Sequence, residues 1–359
     1  MRRPLASGKR LVIKVGSSSL TAGDGGIDPS AIERIVDLVA RAVRSGFPTV
    51  LVTSGAVAAG FPALGMPYRP ADLAGLQMAA AVGQSRLMER YTAGFDRHGL
   101  LAGQVLLTKD VLSSRDQYLS ARTALDRMLA AGIVPVVNEN DTVGAEEHRM
   151  GDNDRLAAAV SHLIGAGLLL ILSDIEGLFS SDPRGGDAEL LGAVEHTDRI
   201  LDTLAGMGPF GSGGVATKVA AARMAAWSGV PTVVASATAG NVIERVVAGE
   251  DVGTWVEPRA ERLPARKLWI AFGRSSAGGL VIDDGAVVAL VEKARSLLPV
   301  GVVEVQGFFR SGSAVEVLDS SAGLVAKGLV QMDSSQLTEL RGKRSQTEAI
   351  HRDDLVVLR

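Results

Sequence analysis

Apolar segments of strand length alternate with helical patterns along the first 255 residues of the chain. Short apolar runs bounded by polar residues or glycine predict strands, and apolar residues spaced at i, i+3, i+4 and i+7 predict helices. The predicted strands are residues 10–15, 48–52, 101–107, 133–137, 168–172 and 231–236. The predicted helices begin near residue 29, span 72–97 and 116–131, begin again at 154, and span 215–228. This alternation predicts a three-layer α/β sandwich, in which helices cover both faces of a mostly parallel sheet.

The first predicted helix carries signals at both of its ends. Asp28 is a favoured N-cap residue, and Pro29 suits the first helical position because its missing N–H would have no partner there. Ile35 and Val39 belong to one apolar face, and Gly46 is placed to end the helix. The segment therefore predicts an amphipathic helix packed on a sheet.

The pattern changes after about Trp255. Residues 257–267 are charged and contain Pro258 and Pro264, which is typical of a domain boundary. Short alternating segments with tight turns follow beyond Leu280 and predict a small β-rich domain. We expect a first domain over residues 1–259, a linker over 260–276 and a second domain over 277–359.

Composition and charge exclude several classes of site. The chain contains no cysteine, which excludes disulfides, thiolate catalysis and cysteine-ligated metals, and its five histidines lack a metal-like spacing. The net charge of -3 gives no general argument for nucleic acid or membrane as a partner. No apolar stretch approaches the length of roughly 20 residues needed to span a bilayer, and the N-terminus is unlike a signal peptide. We therefore expect a protein of the reducing cytoplasm.

A dense group of polar residues follows the apolar run at residues 133–137. The next seventeen residues contain six acids and three asparagines, within the sequences V-P-V-V-N-E-N-D and G-D-N-D. Ligands bind at the carboxyl ends of parallel strands, so this segment is a candidate site. The alternative is an Asx-rich loop whose side chains bind only their own backbone.

Two other segments pair a lysine with glycine or serine. Lys14 precedes G-S-S-S at the end of the first strand, and Lys218 ends G-S-G-G-V-A-T-K at a predicted helix start. Backbone N–H groups and one cation in each segment suit phosphate oxygens. The Lys14 segment is neither a P-loop nor a dinucleotide-binding fingerprint. Taken alone, a lysine at a strand end such as Lys14 is usually a solvated side chain, and the glycine-rich segment is equally compatible with a flexible loop.

Hydroxyl and carboxyl groups also end two of the other strands. Ser54 lies in T-S-G-A after the second strand, where it could bind a carboxylate or serve only as an N-cap. Ser173 and Asp174 follow the strand at residues 168–172 and could contact a nucleotide. Two lysines held by carboxylates near such groups would suit phosphoryl transfer, which depends chiefly on positioning and positive charge.

In this order and spacing, the motifs resemble the amino acid kinase family, and within it the branch that phosphorylates glutamate. The matching segments are K-V-G-S-S from Lys14, V-T-S-G-A from Val52, V-P-V-V-N-E-N-D from Val134, G-D-N-D from Gly151, S-D-I-E-G-L from Ser173 with D-P-R, and G-G-V-A-T-K from Gly213. The tail, with I-D-D-G-A and H-R-D-D, resembles a PUA domain. Gly16 is followed by Ser17 rather than by the second glycine of the aspartate and acetylglutamate kinases, which favours the glutamate branch.

The resemblance implies transfer of the γ-phosphoryl group of ATP to the side-chain carboxylate of L-glutamate, the first step of proline synthesis. It implies catalytic roles for Lys14 and Lys218, which stabilise the transferring group, and for Asp154, which orients both ammonium groups. It implies that Ser54, Asp141 and Asn153 hold glutamate, with Asp152 nearby. The implied ATP-binding residues are Lys14, Ser173, Asp174, Ser212, Gly213, Gly214, Val215, Ala216, Thr217 and Lys218. Mg²⁺ would bridge the ATP phosphates, with no protein residue assigned as its ligand.

The acceptor carboxylate is already ionised near pH 7, so no general base is expected.

Two rival functions remain open. One is phosphorylation of a different small acid by the same fold, and the other is RNA binding or modification through the PUA-like tail. The basic run at residues 341–344 could contact phosphates, although a solvated turn has the same composition. The resemblance also implies inhibition by proline and assembly into a homo-oligomer.

Overall fold

A computed structural model describes residues 2–112, 114–143, 153–183, 187–198, 200–206 and 214–358. Contacts within the chain separate it into two compact units, Met1–Arg262 and Leu263–Arg359. Each unit contains its own sheet.

The first unit is built on an eight-stranded sheet. Its strands are β1 (Leu11–Val15), β2 (Thr49–Val52), β3 (Ala102–Leu107), β4 (Val134–Glu139), β5 (Leu168–Ser173), β6 (Ala193–Glu195), β7 (Thr232–Ser236) and β8 (Thr254–Glu257). The order across the sheet is β3-β4-β2-β1-β5-β7-β8-β6, and every pair is parallel except β7 with β8. The carboxyl ends of the central strands therefore meet at one edge.

Helices pack on the sheet between successive strands. They are α1 (Pro29–Arg44), α2 (Ala56–Gly60), α3 (Leu73–Asp96), α4 (Arg115–Ala130), α5 (Asp154–Ile164), α6 (Ile200–Gly206), α7 (Val215–Trp227) and α8 (Val242–Val247). The predicted start of α1 is confirmed, since Asp28 caps the helix by accepting a hydrogen bond from the Ser30 N–H and Pro29 is its first residue.

Alternation along β1 assigns its side chains to two different helix layers. Leu11, Ile13 and Val15 belong to one core cluster, which they share with α1, α3 and α8. Val12 and Lys14 point to the opposite face, where α5 packs on β1 and also against α4 and α7. A lysine in the middle of a buried sheet is thus directed between two helices rather than into solvent.

The second unit contains a five-stranded sheet of order β10-β9-β11-β12-β13. Its strands are β9 (Gly278–Ile282), β10 (Val302–Gln306), β11 (Ala314–Leu318), β12 (Leu324–Leu329) and β13 (Leu355–Val357). Its helices are α9 (Ala265–Leu268), α10 (Asp284–Val291) and α11 (Ser334–Leu340). The sheet has its own buried core, which includes Leu280, Val315 and Ile350.

The predicted fold class, a mostly parallel α/β sandwich followed by a β-rich tail, is confirmed. One predicted boundary is wrong, because the strand expected to stop at Val137 continues through Asn138 and Glu139. These two polar residues pair with Leu106 and Leu107 of β3, so strand pairing outlasts the apolar run. Short elements such as β6 and α6 were not predicted, since their apolar runs are too brief to show a period.

Candidate active site

Two lysines and one aspartate form a buried cluster at the carboxyl edge of the first sheet. Lys14 Nζ, from β1, lies 2.5 Å from Oδ1 of Asp154, which is the first residue of α5. Lys218 Nζ, from the first turn of α7, lies 3.9 Å from Oδ2 of the same carboxylate. None of the three side chains is more than 4% exposed. The three residues expected to act together are therefore brought together by three different elements.

Close packing of α5 on α7 makes this arrangement possible. Alanines are buried on both helices, including Ala157 and Ala158 of α5 and Ala221 and Ala222 of α7. Their small side chains allow the two backbones to approach. The first turns of both helices then lie side by side over Lys14.

The charges of the cluster control the protonation of Asp154. Burial by itself would raise the pKa of this carboxyl, but the adjacent Lys14 and Lys218 ammonium groups lower it, and hydrogen bonds from Lys14 and Thr217 lower it further. The net result is a pKa below the ordinary value, so Asp154 is ionised at neutral pH.

The Thr217 hydroxyl is the third contact of the Asp154 carboxylate. Its Oγ1 donates to Asp154 Oδ2 at 2.9 Å and also lies 2.9 Å from the carbonyl oxygen of Gly214. The sequence assigned Thr217 to the ATP loop, but it gave no indication of this hydrogen bond. The bond fixes the rotamer of the carboxylate that holds both lysines.

Amide side chains form a second group, adjacent to the charged cluster. Asn153, immediately before Asp154, donates through Nδ2 to the carbonyl oxygen of Thr53 at 2.5 Å and to Oδ1 of Asn138 at 2.6 Å. The same Nδ2 lies 3.4 Å from Oγ of Ser54. Asn138 in turn donates through Nδ2 to Oε1 of Gln84, on α3, at 2.7 Å. Ser54 and Asn153, predicted from sequence to bind the same ligand, therefore do lie together.

Strand register explains why these residues converge. Lys14 pairs with Val52 of β2 and with Ile171 of β5. Ser54 and Ser173 each lie two residues beyond those partners, so they fall on either side of Lys14 at the same edge. Both serines are buried, and Ser173 Oγ donates to Oδ1 of the exposed Asp174 at 2.9 Å.

The remaining predicted residues follow two of the central elements. Asp141 is buried in a short 3₁₀ turn, residues 141–143, that follows β4 and packs against α3. Gly214 caps α7, and Val215 and Ala216 form its first turn. Asp152, Ser212 and Gly213 lie outside the described residues.

Sequence reasoning missed Gln84, and it quoted Asn138 in a motif without giving it a role. Gln84 lies in the middle of a long helix, where a single polar residue gives no signal without a structure. Asn138 could have been found, because it is the first polar residue after a buried apolar run.

The arrangement is suited to anions. Two buried ammonium groups beside one carboxylate present positive charge to which an anionic ligand can bind. Across the described ranges, no group of three or more His, Cys, Asp or Glu residues could hold a metal ion. None of the described helices is both long and apolar enough to cross a membrane.

Comparisons with known proteins agree with the geometry. The model of the amino acid kinase family matches residues 9–236, and the model of the PUA domain matches residues 278–351. The chain is 45% identical over 372 aligned positions to a glutamate 5-kinase of Marinomonas sp. (strain MWYL1), with 100% of each chain covered. It is 44% identical to a glutamate 5-kinase of Streptomyces avermitilis, covering 99% of this chain and 98% of that protein. A glutamate 5-kinase of Pelobacter propionicus is also 44% identical, with 98% of each chain covered.

Proposed function

The chain belongs to the amino acid kinase family and carries a PUA domain, and we propose that it transfers the γ-phosphoryl group of ATP to the side-chain carboxylate of L-glutamate. The product is L-glutamyl 5-phosphate, which makes the reaction the first step of proline synthesis. The chain is similar over nearly its full length to several glutamate 5-kinases.

One observation carries the proposal, namely that Asp154 holds Lys14 and Lys218 in a buried cluster of net positive charge. An oxygen of the glutamate carboxylate attacks the γ-phosphorus, and the bond from that phosphorus to the β,γ-bridging oxygen breaks. ADP leaves with the bonding electrons. Both reactants are anions, so the two ammonium groups offset their repulsion and stabilise the charge on the transferring group.

No proton needs to be removed from the acceptor, because a carboxylate is already ionised at neutral pH. Asp154 is therefore assigned as a positioning residue for the two lysines and not as a general base. The hydrogen bond from Thr217 and the short contact with Lys14 occupy both of its oxygens, which supports this assignment.

Glutamate binding is assigned to Ser54, Asp141, Asn153 and Asp152. Asn153 Oδ1 is buried and has no hydrogen-bond partner among the described residues, so it is available to the α-ammonium group of an amino acid. Asp141 is buried just beyond the carboxyl end of β4, and it supplies a negative charge for that ammonium group.

ATP binding is assigned to the edge on the β5 side of Lys14. The proposed contacts are Lys14, Ser173, Asp174, Ser212, Gly213, Gly214, Val215, Ala216, Thr217 and Lys218. Mg²⁺ accompanies ATP and neutralises part of its phosphate charge, and no metal cage is required from the described residues.

Several finer features extend the proposal. We assign the kinase domain to residues 1–259, the linker to 260–276 and the PUA domain to 277–359. The enzyme acts in the cytoplasm as a homo-oligomer, and proline inhibits it at or overlapping the glutamate site. RNA is not proposed as a partner, since the basic run at residues 341–344 is a surface turn in an acidic chain.

An acceptor panel tests the function. ADP release is measured with ATP and Mg²⁺ and with L-glutamate, L-aspartate, N-acetylglutamate or no acceptor, in the presence of hydroxylamine to trap an acyl phosphate as its hydroxamate. Hydroxamate from glutamate alone is the expected result. Hydroxamate only from another acceptor would retain the phosphate site but overturn the glutamate assignments, and no transfer to any acceptor would overturn the function.

A further inference from the structure

Backbone groups fix the direction of the amide chain that connects Gln84, Asn138 and Asn153. The N–H of Glu139 donates to Oδ1 of Asn138 at 2.9 Å, so Oδ1 must be the acceptor end of that amide. Asn138 Nδ2 must then face Gln84, which meets it with Oε1 at 2.7 Å. At the other end, the carbonyl oxygen of Thr53 requires that Asn153 present Nδ2 to it. None of these three side-chain amides can be flipped without losing a hydrogen bond.

Each end of this amide chain presents one polar atom that has no hydrogen-bond partner among the described residues. Gln84 Nε2, a donor, and Asn153 Oδ1, an acceptor, are both buried and make no hydrogen bond among the described residues. A buried polar group without a partner costs roughly 1–3 kcal/mol, so a donor and an acceptor left open on one set of linked amides are suited to a ligand that satisfies both. The ligand must offer an acceptor to Gln84 and a donor to Asn153.

An α-amino acid has this pair of groups on one carbon atom, because its carboxylate accepts hydrogen bonds and its ammonium group donates them. From the geometry we infer that Gln84 Nε2 donates to the α-carboxylate of the substrate, while Asn153 Oδ1 accepts from its α-ammonium group. Gln84 is thereby a specificity-determining residue. The inference rests on the proposed function, since it assigns the α-carbon end of the same glutamate whose side chain is phosphorylated.

The isosteric variant Gln84→Glu separates substrate binding from support of Asn138. The introduced glutamate side chain keeps an oxygen that accepts a hydrogen bond from Asn138 Nδ2. It replaces only the Nε2 donor, with a second acceptor oxygen. At pH 8, where the introduced carboxylate is ionised, we expect the KM for L-glutamate to rise by about tenfold or more, because a hydrogen bond is lost and two carboxylates repel. The KM for ATP should stay within about twofold of the wild-type value.

A second substrate gives a ratio of kcat/KM values that structural damage alone would leave unchanged. The α-amide of L-glutamate keeps the side-chain carboxylate that is phosphorylated, but it offers an N–H donor in place of one α-carboxylate oxygen. Gln84→Glu should shift the kcat/KM ratio toward this amide. The control is Gln117→Glu, the same change at an exposed position on α4, which should alter neither the KM nor the ratio.

The outcomes distinguish this inference from the function on which it rests. If wild-type enzyme forms hydroxamate from glutamate and Gln84→Glu leaves both KM and substrate ratio unchanged, the role of Gln84 is wrong and the function stands. If wild-type enzyme forms none, both are wrong. Should Gln84→Glu fold poorly, the wild-type enzyme gives the test, because its KM for the α-amide of L-glutamate should exceed its KM for L-glutamate by about tenfold or more, with the KM for ATP unchanged. Equal KM values for the amide and for L-glutamate would overturn the inference.

Discussion

Lys14 Nζ lies 2.5 Å from Asp154 Oδ1, and neither side chain is more than 3% exposed. The pair links β1, at the centre of the sheet, to the first residue of α5. Because the same carboxylate also faces Lys218, one anion fixes the positions of two cations. In the proposed mechanism, the positions of both lysines depend on this shared carboxylate.

Removing the charge of Asp154 should reduce both catalysis and stability. Asp154→Asn keeps the shape of the side chain but removes the carboxylate that both buried ammonium groups face. We expect kcat to fall by about 10²- to 10³-fold and the free energy of unfolding to fall by about 3 kcal/mol. Steady-state kinetics and urea denaturation measure the two effects, with Asp187→Asn at an exposed loop position as the control. A normal kcat in a folded Asp154→Asn enzyme would contradict the assignment.

Lys218 should be required for turnover but not for folding. Lys218→Met removes the ammonium group and keeps an apolar side chain of similar length, while Asp154 retains its closer partner Lys14. We expect kcat to fall about 100-fold or more, with an unchanged or slightly higher free energy of unfolding, since replacing one member of a buried ion cluster by an apolar group is often neutral when the remaining charges stay paired. Lys293→Met, at an exposed position, should change neither quantity. Loss of activity only in proportion to loss of folded protein would show that Lys218 is structural.

Thr217 should set the acid limit of activity. Its hydrogen bond helps to lower the pKa of Asp154, so Thr217→Val should raise that pKa. The proposed mechanism requires ionised Asp154, so the acid limb of the kcat profile should move to higher pH in the variant. Thr217→Ser retains a hydroxyl and should restore the wild-type profile. Identical acid limbs in wild type and Thr217→Val would exclude a contribution of this hydroxyl to the ionisation of Asp154.

His162 should make the protein less stable in mild acid. Burial, assisted by the positive charges of Arg262 and Arg122, lowers the pKa of this histidine to about 3 from 6.5. The unfolded chain therefore binds a proton below pH 6.5 that the folded chain does not, so stability is full above 6.5 and falls as pH decreases toward 3. The free energy of unfolding should fall by up to about 1.4 kcal/mol for each pH unit of this decrease. The free energy of unfolding, measured by urea denaturation, should differ less between pH 7 and pH 5 for His162→Gln than for wild type. Equal differences would contradict the prediction.

The sequence predicted six of the eight strands described in the first sheet, and the ends of the longer helices, because both follow from local periodicity and capping. It also placed Lys14, Ser54 and Ser173 at strand ends, and parallel register then brings them to one edge. It could not predict the hydrogen bond from Thr217 to Asp154 or the chain of amides from Gln84 to Asn153. These contacts join residues 63, 54 and 15 positions apart and depend on how closely the helices pack. Strand β8 was also not predicted, because its four residues, Thr254–Glu257, are too few to show a period.

The central claim is that an oxygen of the glutamate side chain attacks the γ-phosphorus of ATP. Glutamate labelled with ¹⁸O in its side-chain carboxylate, incubated with enzyme, ATP, Mg²⁺ and hydroxylamine, tests this directly by mass spectrometry of the released phosphate. Attack by the carboxylate places one labelled oxygen between carbon and phosphorus, and hydroxylamine then attacks the carbon and releases phosphate that carries the label. The account predicts one ¹⁸O atom in each phosphate formed with the hydroxamate. Unlabelled phosphate would show that ATP is hydrolysed by water, and the assigned reaction would be wrong.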